Sequence, residues 1–400
     1  MWFMSTILVA YSLPNDATIG SHQRRWHLLR GAHPEVIVTA CTSGNPQRSL
    51  TWTSQHLACP ALKNILYPVR SDTVSSWLTK NRCAIAEVGK ALDAAAGAAG
   101  GRQPVYLAMG YIPALAIVAN ALHPVIFDYD DSMALYYRRR FSALKMSHPL
   151  KAINSMSWSI SYRHFERWII ASSDATVITA ESDALCLSRD ATAAKMHVIG
   201  VGTDWLNHRP VSDYRQPANR LAFHGGFTWE PNRLAALYLG RKVMPRVRRV
   251  VANAELHIFG SPVFPELEEF NGRHGIKVHG YVDNLERHLS QADLYLMPML
   301  TGSGVKNKLA EAMALGLPIV TNSLGAEGLP SKARTAVAIS DGLDAFCERV
   351  ISLLVHRECR MKLGMEARFA AERLFSWNDY ATRYQQLIGS LARSESALGV

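Results

Sequence analysis

Short apolar runs alternate with longer stretches of helical period along almost the whole chain, the arrangement of a parallel α/β sheet. In the first half the runs 7–13, 36–40, 105–109, 125–128 and 176–179 predict strands, with a weaker one at 196–201. Residues 24–30, 75–96 and 115–122 read as helices between them. The second half repeats the scheme, with strands predicted at 221–224, 255–259, 277–279, 294–297, 319–321 and 336–339. Its helices are expected over 232–247, 265–273, 285–291, 307–315, 343–354, 358–374 and 379–391. Gly316 and Pro318 stop the helix that begins at Asn307.

A polar stretch at 201–220, punctuated by Gly202, Pro210 and Pro217, marks a domain boundary. The pattern therefore predicts two doubly wound, Rossmann-like α/β domains with a cleft between them. In such sheets ligands bind beyond the carboxyl ends of the strands, so the loops after each strand are the places to look for chemistry.

Composition narrows the class. With 400 residues, 48% hydrophobic and 19% charged, the chain has globular proportions and enough core to need no staples. The longest apolar stretch, 113–127, is interrupted by Asn120 and His123 and falls short of a membrane span. Residues 1–13 are apolar without a basic flank or a small-residue cleavage site, and read as a first strand rather than a signal peptide. Six scattered cysteines show no C-x-x-C spacing, which fits a reducing cytoplasm and no structural zinc. Phosphate-loop, G-x-G-x-x-G, G-x-S-x-G and H-E-x-x-H signatures are all absent.

The net charge of +10 is concentrated. Residues 132–170 hold seven basic side chains (Arg138, Arg139, Arg140, Lys145, Lys151, Arg163, Arg167) against the single acid Glu166. Tyr136, Tyr137, Phe141, Met146, Met156, Trp158, Tyr162 and Trp168 are interleaved with them. Such a mixture suits an anionic membrane interface; the alternative is a solvated helical insertion whose aromatics fold inward. The pI of about 9.4 also admits a nucleic-acid binder, but no reading helix or RNA-binding sheet signature accompanies it.

Two glycine-bearing strand ends carry the candidate chemistry. Met297-Pro-Met-Leu-Thr-Gly-Ser-Gly-Val-Lys-Asn-Lys308 runs from a strand into a helix bearing Glu311. Backbone N–H groups at a helix start, close-approaching glycines and two lysines make an anion site, and Glu311 is an acceptor suited to sugar hydroxyls. Phe223-His-Gly-Gly-Phe-Thr-Trp-Glu-Pro-Asn232 follows the first strand of the second domain, with Gly225 and Gly226 open to ligand approach and Asn232 placed as a helix cap. An ordinary crossover and a tight turn remain the alternatives on spacing alone.

Taken together these segments resemble the nucleotide-sugar-binding domain of the GT-B glycosyltransferases, specifically glycosyltransferase family 4, the group 1 transferases. The resemblance is strongest over 220–330, including Phe259-Gly260, His279-Gly-Tyr-Val-Asp-Asn284, Ala292-Asp293 and Thr321-Asn-Ser-Leu-Gly-Ala-Glu-Gly328. Ile199-Gly-Val-Gly-Thr-Asp204 is similar to the family's boundary loop, Phe375-Ser-Trp377 to the start of its terminal crossing helix, and Ile19-Gly20-Ser-His-Gln-Arg24-Arg25 to its first glycine loop. It implies an N-terminal acceptor domain over 1–205, a donor domain over 206–375 and a terminal helix over 376–400 that crosses back.

By the same resemblance Glu311 would bind the ribose, the backbone at Tyr281 and Val282 the nucleobase, and Gly225, Gly226, Ser303 and Gly304 the diphosphate, with Lys306 and Lys308 neutralising it. Two departures stand out. Ser303 occupies the place of a second glutamate, and the Arg and Lys that usually follow the Gly-Gly loop are not evident in 228–233, so the two helix lysines replace them. In the first domain Val125-Ile-Phe-Asp-Tyr-Asp-Asp-Ser132 sets Asp130 where the family has a histidine, with Asp128 on the same strand face. These two aspartates are the candidate catalytic groups, while Asp131 and Ser132 double as cap candidates. Gly20, Arg24, Asp131, Arg138, Arg139 and Arg140 form the expected acceptor and membrane side.

The implied activity is transfer of a sugar from a nucleoside diphosphate sugar, UDP favoured over GDP, to a glycan or polyprenyl-diphosphate-linked acceptor in bacterial surface polysaccharide assembly. No cofactor, metal or nucleic acid is expected. The expected location is the cytoplasm, peripheral on the inner face of the plasma membrane. Family membership favours retention at the anomeric centre, and an ionised Asp130 acting as base keeps inversion open. A nucleotide-sugar epimerase of the same fold is the rival enzyme.

Overall fold

The computed structural model describes residues 6–10, 23–28, 34, 36–39, 55–69, 72–100, 103–146, 148–188, 190–208, 210–211, 214 and 218–396. The chain divides into two units, Met1–Gly200 together with Trp377–Val400, and Val201–Ser376.

In the first unit β1 (Thr6–Ala10), β2 (Val36–Thr39), β3 (Gln55–Ala58), β4 (Val105–Met109), β5 (Val125–Tyr129), β6 (Ala175–Ile178) and β7 (Met196–Val198) form one parallel sheet in the order β3-β2-β1-β4-β5-β6-β7. The second unit has β8 (Arg220–His224), β9 (Glu255–Phe259), β10 (Ile276–Gly280), β11 (Leu294–Met297), β12 (Ile319–Thr321) and β13 (Ala338–Ile339), ordered β10-β9-β8-β11-β12-β13 and again parallel. Both sheets start at a central strand, run out to one edge, and resume beside the start. The strand ends at β1/β4 and at β8/β11 are therefore the two switch points where such sheets open to ligands.

Burial explains why the strands were readable. Ile7 and Val9 face one core and Leu8 and Ala10 the other, so β1 is apolar throughout rather than alternating. Edge strand β3, Gln-His-Leu-Ala, has no apolar run and was not anticipated. The helix Trp377–Ser396 packs Tyr380, Tyr384, Leu387 and Ile388 against Leu8, Ala10 and Ile126 of the first sheet. The single helix expected over 232–247 is Glu230–Tyr238, a π-turn at Leu239–Val243, and Met244–Val250. Pro245 lacks the N–H that a regular α ladder needs there, and the wide turn just before it avoids that conflict.

The basic segment forms a helical hairpin, Met133–Leu144 and Pro149–Ser172. Ser132 caps the first helix by accepting from Leu135 N at 3.1 Å, and Asp183 accepts from Ser132 N at 2.8 Å. Glu166, fully buried on the second helix, accepts from Met133 N (2.9 Å), Ala134 N (3.1 Å), the Ser132 hydroxyl (3.1 Å) and the Tyr129 hydroxyl. Burial pushes its pKa up to about 7 against those four donors. The aromatics turn inward: Tyr137 stacks on Trp158 and on Tyr162, and Tyr136 is buried. Aliphatic and thioether side chains are the ones left outside, with Met146 89% and Leu150 83% exposed, followed by Ile153 and Ile160.

One ion pair ties the first sheet together. Arg24, on a helix over 23–28, donates to Asp128 Oδ1 at 2.5 Å, to Ile199 O at 3.3 Å and to Gly200 O at 3.4 Å, and both partners are almost fully buried. Burial raises the Asp128 pKa while Arg24 opposes the rise. Removing the carboxylate leaves the buried guanidinium only its longer, 3.5 Å contact with Asp130, so Asp128→Ala should destabilise the first unit by about 3 kcal/mol. Urea unfolding of the variant checks this, and a loss under about 1 kcal/mol would contradict it.

Candidate functional site

The second unit gathers its polar side chains where β8 and β11 end. β8 finishes at His224 and passes through Gly225 and Gly226 into the Glu230–Tyr238 helix. β11 finishes at Met297 and passes through 298–306 into the Asn307–Ala314 helix, on whose second turn Glu311 lies. His224 Nε2 lies 3.0 Å from Glu311 Oε2, and the Tyr295 hydroxyl lies 3.0 Å from His224 Nδ1. A carboxylate only accepts, so Nε2 carries the proton; Nδ1 then accepts from the tyrosine. Burial lowers the His224 pKa despite Glu311, and burial with Glu311 nearby raises that of Tyr295. Neutral Tyr295 and His224 thus form a relay that orients the Glu311 carboxylate.

Lys308 lies one turn before Glu311 on the same helix. Its Nζ donates to Asn232 Oδ1 at 2.8 Å, and Asn232 Nδ2 donates to Gly226 O at 2.8 Å. Asn232 is therefore not the helix cap expected from sequence; Trp229 holds that position, and Asn232 bridges the two loops. A Cβ on Gly225 would stand 3.0 Å from Asn232 Cγ and from Lys308 Cε, and one on Gly260 would stand 1.9 Å from Gly225 O. These contacts are why both positions are glycine.

Lys306 behaves differently from Lys308. It is buried, and its Nζ donates to Ser303 O at 3.0 Å and Gly304 O at 2.6 Å, bracing its own loop. Gly302 sits at φ +124°, a backbone conformation that favours glycine, and a Cβ there would meet Pro231 only at an ordinary 3.7 Å. The hydroxyls of Thr301 and Ser303 are buried and have no hydrogen-bond partner among the described residues. Asn322 clamps the far side of the loop, accepting from Met299 N at 3.0 Å and donating to Met299 O at 2.6 Å.

Of the donor residues expected from sequence, Gly225, Gly226, Ser303, Gly304, Lys306, Lys308 and Glu311 share this one place. Tyr281 and Val282 lie past the end of β10, two strands from β8, with the Tyr281 ring exposed. In the first unit the catalytic expectation divides. Asp128 is buried in its pair with Arg24, so it is a structural anchor rather than a carboxylate presented to solvent, and Arg24 is likewise no surface group. Asp130 stays partly exposed, held by Arg25 NH2 at 2.7 Å, while its carbonyl accepts from Thr179 Oγ1 at 2.6 Å. Asp131 is half-buried beside the Ser132 cap. On the hairpin Arg138 is exposed, Arg139 is partly exposed and Arg140 donates to Ser155 Oγ at 2.8 Å. Gly20 lies outside the described residues. His224, Tyr295 and Asn322 were not singled out from sequence.

Residues 218–356 match the family model described as "Glycosyl transferases group 1". Among solved structures the chain is similar to the sucrose-phosphate synthase of Thermosynechococcus elongatus, at TM-score 0.68 and 14% identity, covering 98% of this chain and 100% of that one. It is similar also to Anabaena HepE in complex with UDP and glucose, at TM-score 0.64 and 11% identity over 97% of this chain and 100% of that one. A Staphylococcus aureus TarM mutant in complex with Fondaparinux, alpha-GlcNAc-glycerol and UDP matches at TM-score 0.64 and 9% identity, over 96% and 100% of the two chains. No curated protein matches by sequence. The second unit thus carries the match to that family model, and the chain has the GT-B fold.

Beside the site, on the same unit, three imidazoles pack on β9 and β10. His257 Nδ1 and His279 Nε2 are 3.0 Å apart, Phe259 stacks on His279 at 4.6 Å, and His288 lies 5.5 Å from Phe259. Burial, then the Arg220 charge, lowers the His257 pKa to about 4, and the same causes lower His279. A histidine whose folded pKa is depressed takes its proton more readily when unfolded, so its stabilisation is complete above about 6.5 and is lost as pH falls toward 4. The unit should lose on the order of 2 kcal/mol between those limits through His257 alone. A His257→Phe variant should show a shallower fall of Tm over this range; an unchanged slope would refute the assignment.

Proposed function

We propose that the chain transfers a sugar from a nucleoside diphosphate sugar, UDP-linked before GDP-linked, to a glycan or polyprenyl-diphosphate-linked acceptor in bacterial surface polysaccharide assembly. The observation that carries this reading is the meeting, at one switch point, of the oriented Glu311 carboxylate, the Lys308–Asn232 bridge and two glycine loops. Glu311 suits a vicinal diol such as that of ribose, and Lys308 with the start of the Asn307–Ala314 helix suits a diphosphate. Positive charge fixed in advance beside a departing diphosphate stabilises the charge that develops on it. The UDP held by the HepE and TarM structures supports the choice of base.

Asp130 is the candidate base for the acceptor hydroxyl. Retention is the outcome favoured by family, and the anomeric coupling of the product decides it. Lys308→Ala should weaken UDP binding by about 1–3 kcal/mol, the worth of a charge-assisted contact. Asp130→Asn should keep UDP affinity and lower kcat by about 10²-fold. Equal UDP affinity in Lys308→Ala and the parent would remove the donor-site reading, and parental turnover in Asp130→Asn would demote that aspartate.

A peripheral membrane position on the inner face of the plasma membrane belongs to the same proposal. Among the described residues no helix is long and apolar enough to cross a membrane. Support comes from the hairpin, whose exposed Met146, Leu150, Ile153 and Ile160 accompany exposed Arg138, Lys145 and Lys151. The protein should sediment with anionic vesicles and be released by salt. Binding to neutral and anionic vesicles alike, or to neither, would dismiss it.

A further inference from the structure

Asp130 stands in the short link between β5 and the Met133–Leu144 helix, and the chain on both sides of it is tied to one carboxylate. Before it, the Tyr129 hydroxyl donates to Glu166 Oε1. After it, the Ser132 hydroxyl donates to Oε2 at 3.1 Å, and Met133 N and Ala134 N donate to Oε1 at 2.9 and 3.1 Å. The helix start does not require this. Ser132 already caps it through Leu135 N, and Asp183 accepts from the Ser132 amide. Glu166 is 0% exposed, and among the described residues no basic side chain forms an ion pair with it. Burying an uncompensated carboxylate is costly, and a glutamine of the same shape would keep all three bonds to Oε1. The charge is therefore not demanded by packing or by capping.

We propose that Glu166 is a positioning residue: as a carboxylate it holds the turn from Tyr129 to Ala134 so that Asp130 is set for the acceptor hydroxyl, and on taking up a proton it lets that turn relax. The inference rests on the reading of Asp130 as base and extends it to the group behind that aspartate. Oε1 receives three donors, so the proton goes to Oε2, where it faces the Ser132 hydroxyl and leaves that hydroxyl's own proton without its acceptor. Ser132 is the helix cap, so the change is felt two residues after Asp130. Burial holds the Glu166 pKa up at about 7, and both forms are populated near neutrality. The titratable groups around it are Tyr129 on β5, Tyr111 at the start of the Tyr111–Ala119 helix and Tyr162 on its own helix. Asp183 and Cys186 face it from the Glu181–Leu187 helix, with Arg138 and Arg163 acting on Cys186. Burial raises the three phenols and the thiol, so none of those four ionises before Glu166 as pH rises. A raised carboxyl pKa also fixes a sign. Its contribution to stability is complete below about 4.5 and is lost as pH rises through about 7, whereas its hold on the turn is gained over the same rise.

The test compares the full chain with Glu166→Gln between about pH 6 and about pH 8, reading UDP affinity, UDP release from UDP-glucose in water, melting temperature and amide exchange. The parent should release UDP about 10-fold more slowly at the acid end, with a midpoint near 7. Glu166→Gln should be slow throughout, near the parent's acid rate, with the parental UDP affinity at each pH. It should melt at or above the parental temperature at about pH 8, because a buried charge has been removed. A purely structural carboxylate predicts the reverse, a variant that melts lower and turns over at the parental rate. That result overturns the proposal, as does a midpoint near 7 kept in Glu166→Gln. Exchange at the Met133 and Ala134 amides, corrected for the intrinsic effect of pH, should quicken in the parent below about 7. Protection that does not change with pH overturns the proposal whether or not UDP-glucose is turned over. Asp130→Asn separates the two readings. Parental turnover there, with a slow and flat Glu166→Gln, removes the base while Glu166 still governs the turn; a slow Asp130→Asn with a parental Glu166→Gln overturns the positioning role alone.

Discussion

Glu311 is a carboxylate that must stay near the surface of a parallel sheet without being free to wander, and a single imidazole settles that conflict. Because a carboxylate cannot donate, the His224 proton must sit on Nε2, and Tyr295 must then give its own proton to Nδ1. Three side chains, from the end of β8, the middle of β11 and the helix after β11, therefore have one mutually consistent arrangement. With the helix docked in that way, Lys308 falls opposite Asn232, Asn232 reaches back to Gly226, and Gly225 has no room for a side chain. Each later contact depends on the first.

Much of the architecture was legible because the strands of a parallel sheet are buried on both faces, so they appear as uninterrupted apolar runs. β4, β9, β11 and β12 fall where the runs predicted. β3 was invisible because an edge strand made of Gln-His-Leu-Ala offers no such run. The π-turn was invisible because apolar period alone does not report a local change of helical pitch. In the site, glycines and lysines after strand ends could be read, since their chemistry is local. His224 could not be told from an ordinary histidine until Glu311, 87 positions away, was beside it. The buried pairing of Asp128 was hidden for the same reason, its partner lying 104 positions earlier.

Each unit encloses polar groups that are bonded and others that are not. In the first unit Arg24 and Glu166 are enclosed and carry several hydrogen bonds that lock helices and loops to a sheet, while Asp128 Oδ2 and the Tyr111 hydroxyl are buried without a partner among the described residues. The hairpin follows the same economy of contacts, spending its aromatic rings on the joint between its helices and leaving aliphatic side chains outside. In the second unit the relay behind Glu311 is complete, yet two hydroxyls a few residues away have no partner among the described residues.

The brace formed by Lys306 has a chemical consequence of its own. Acylating reagents need a free, solvated, unprotonated amine, and the Lys306 nitrogen is enclosed between the carbonyls of Ser303 and Gly304. In a mixed labelling of the chain's lysines this amine would be acylated late, and only when its loop opens. Its labelling rate is therefore a clock for loop opening, read by mass spectrometry without any probe having to be installed.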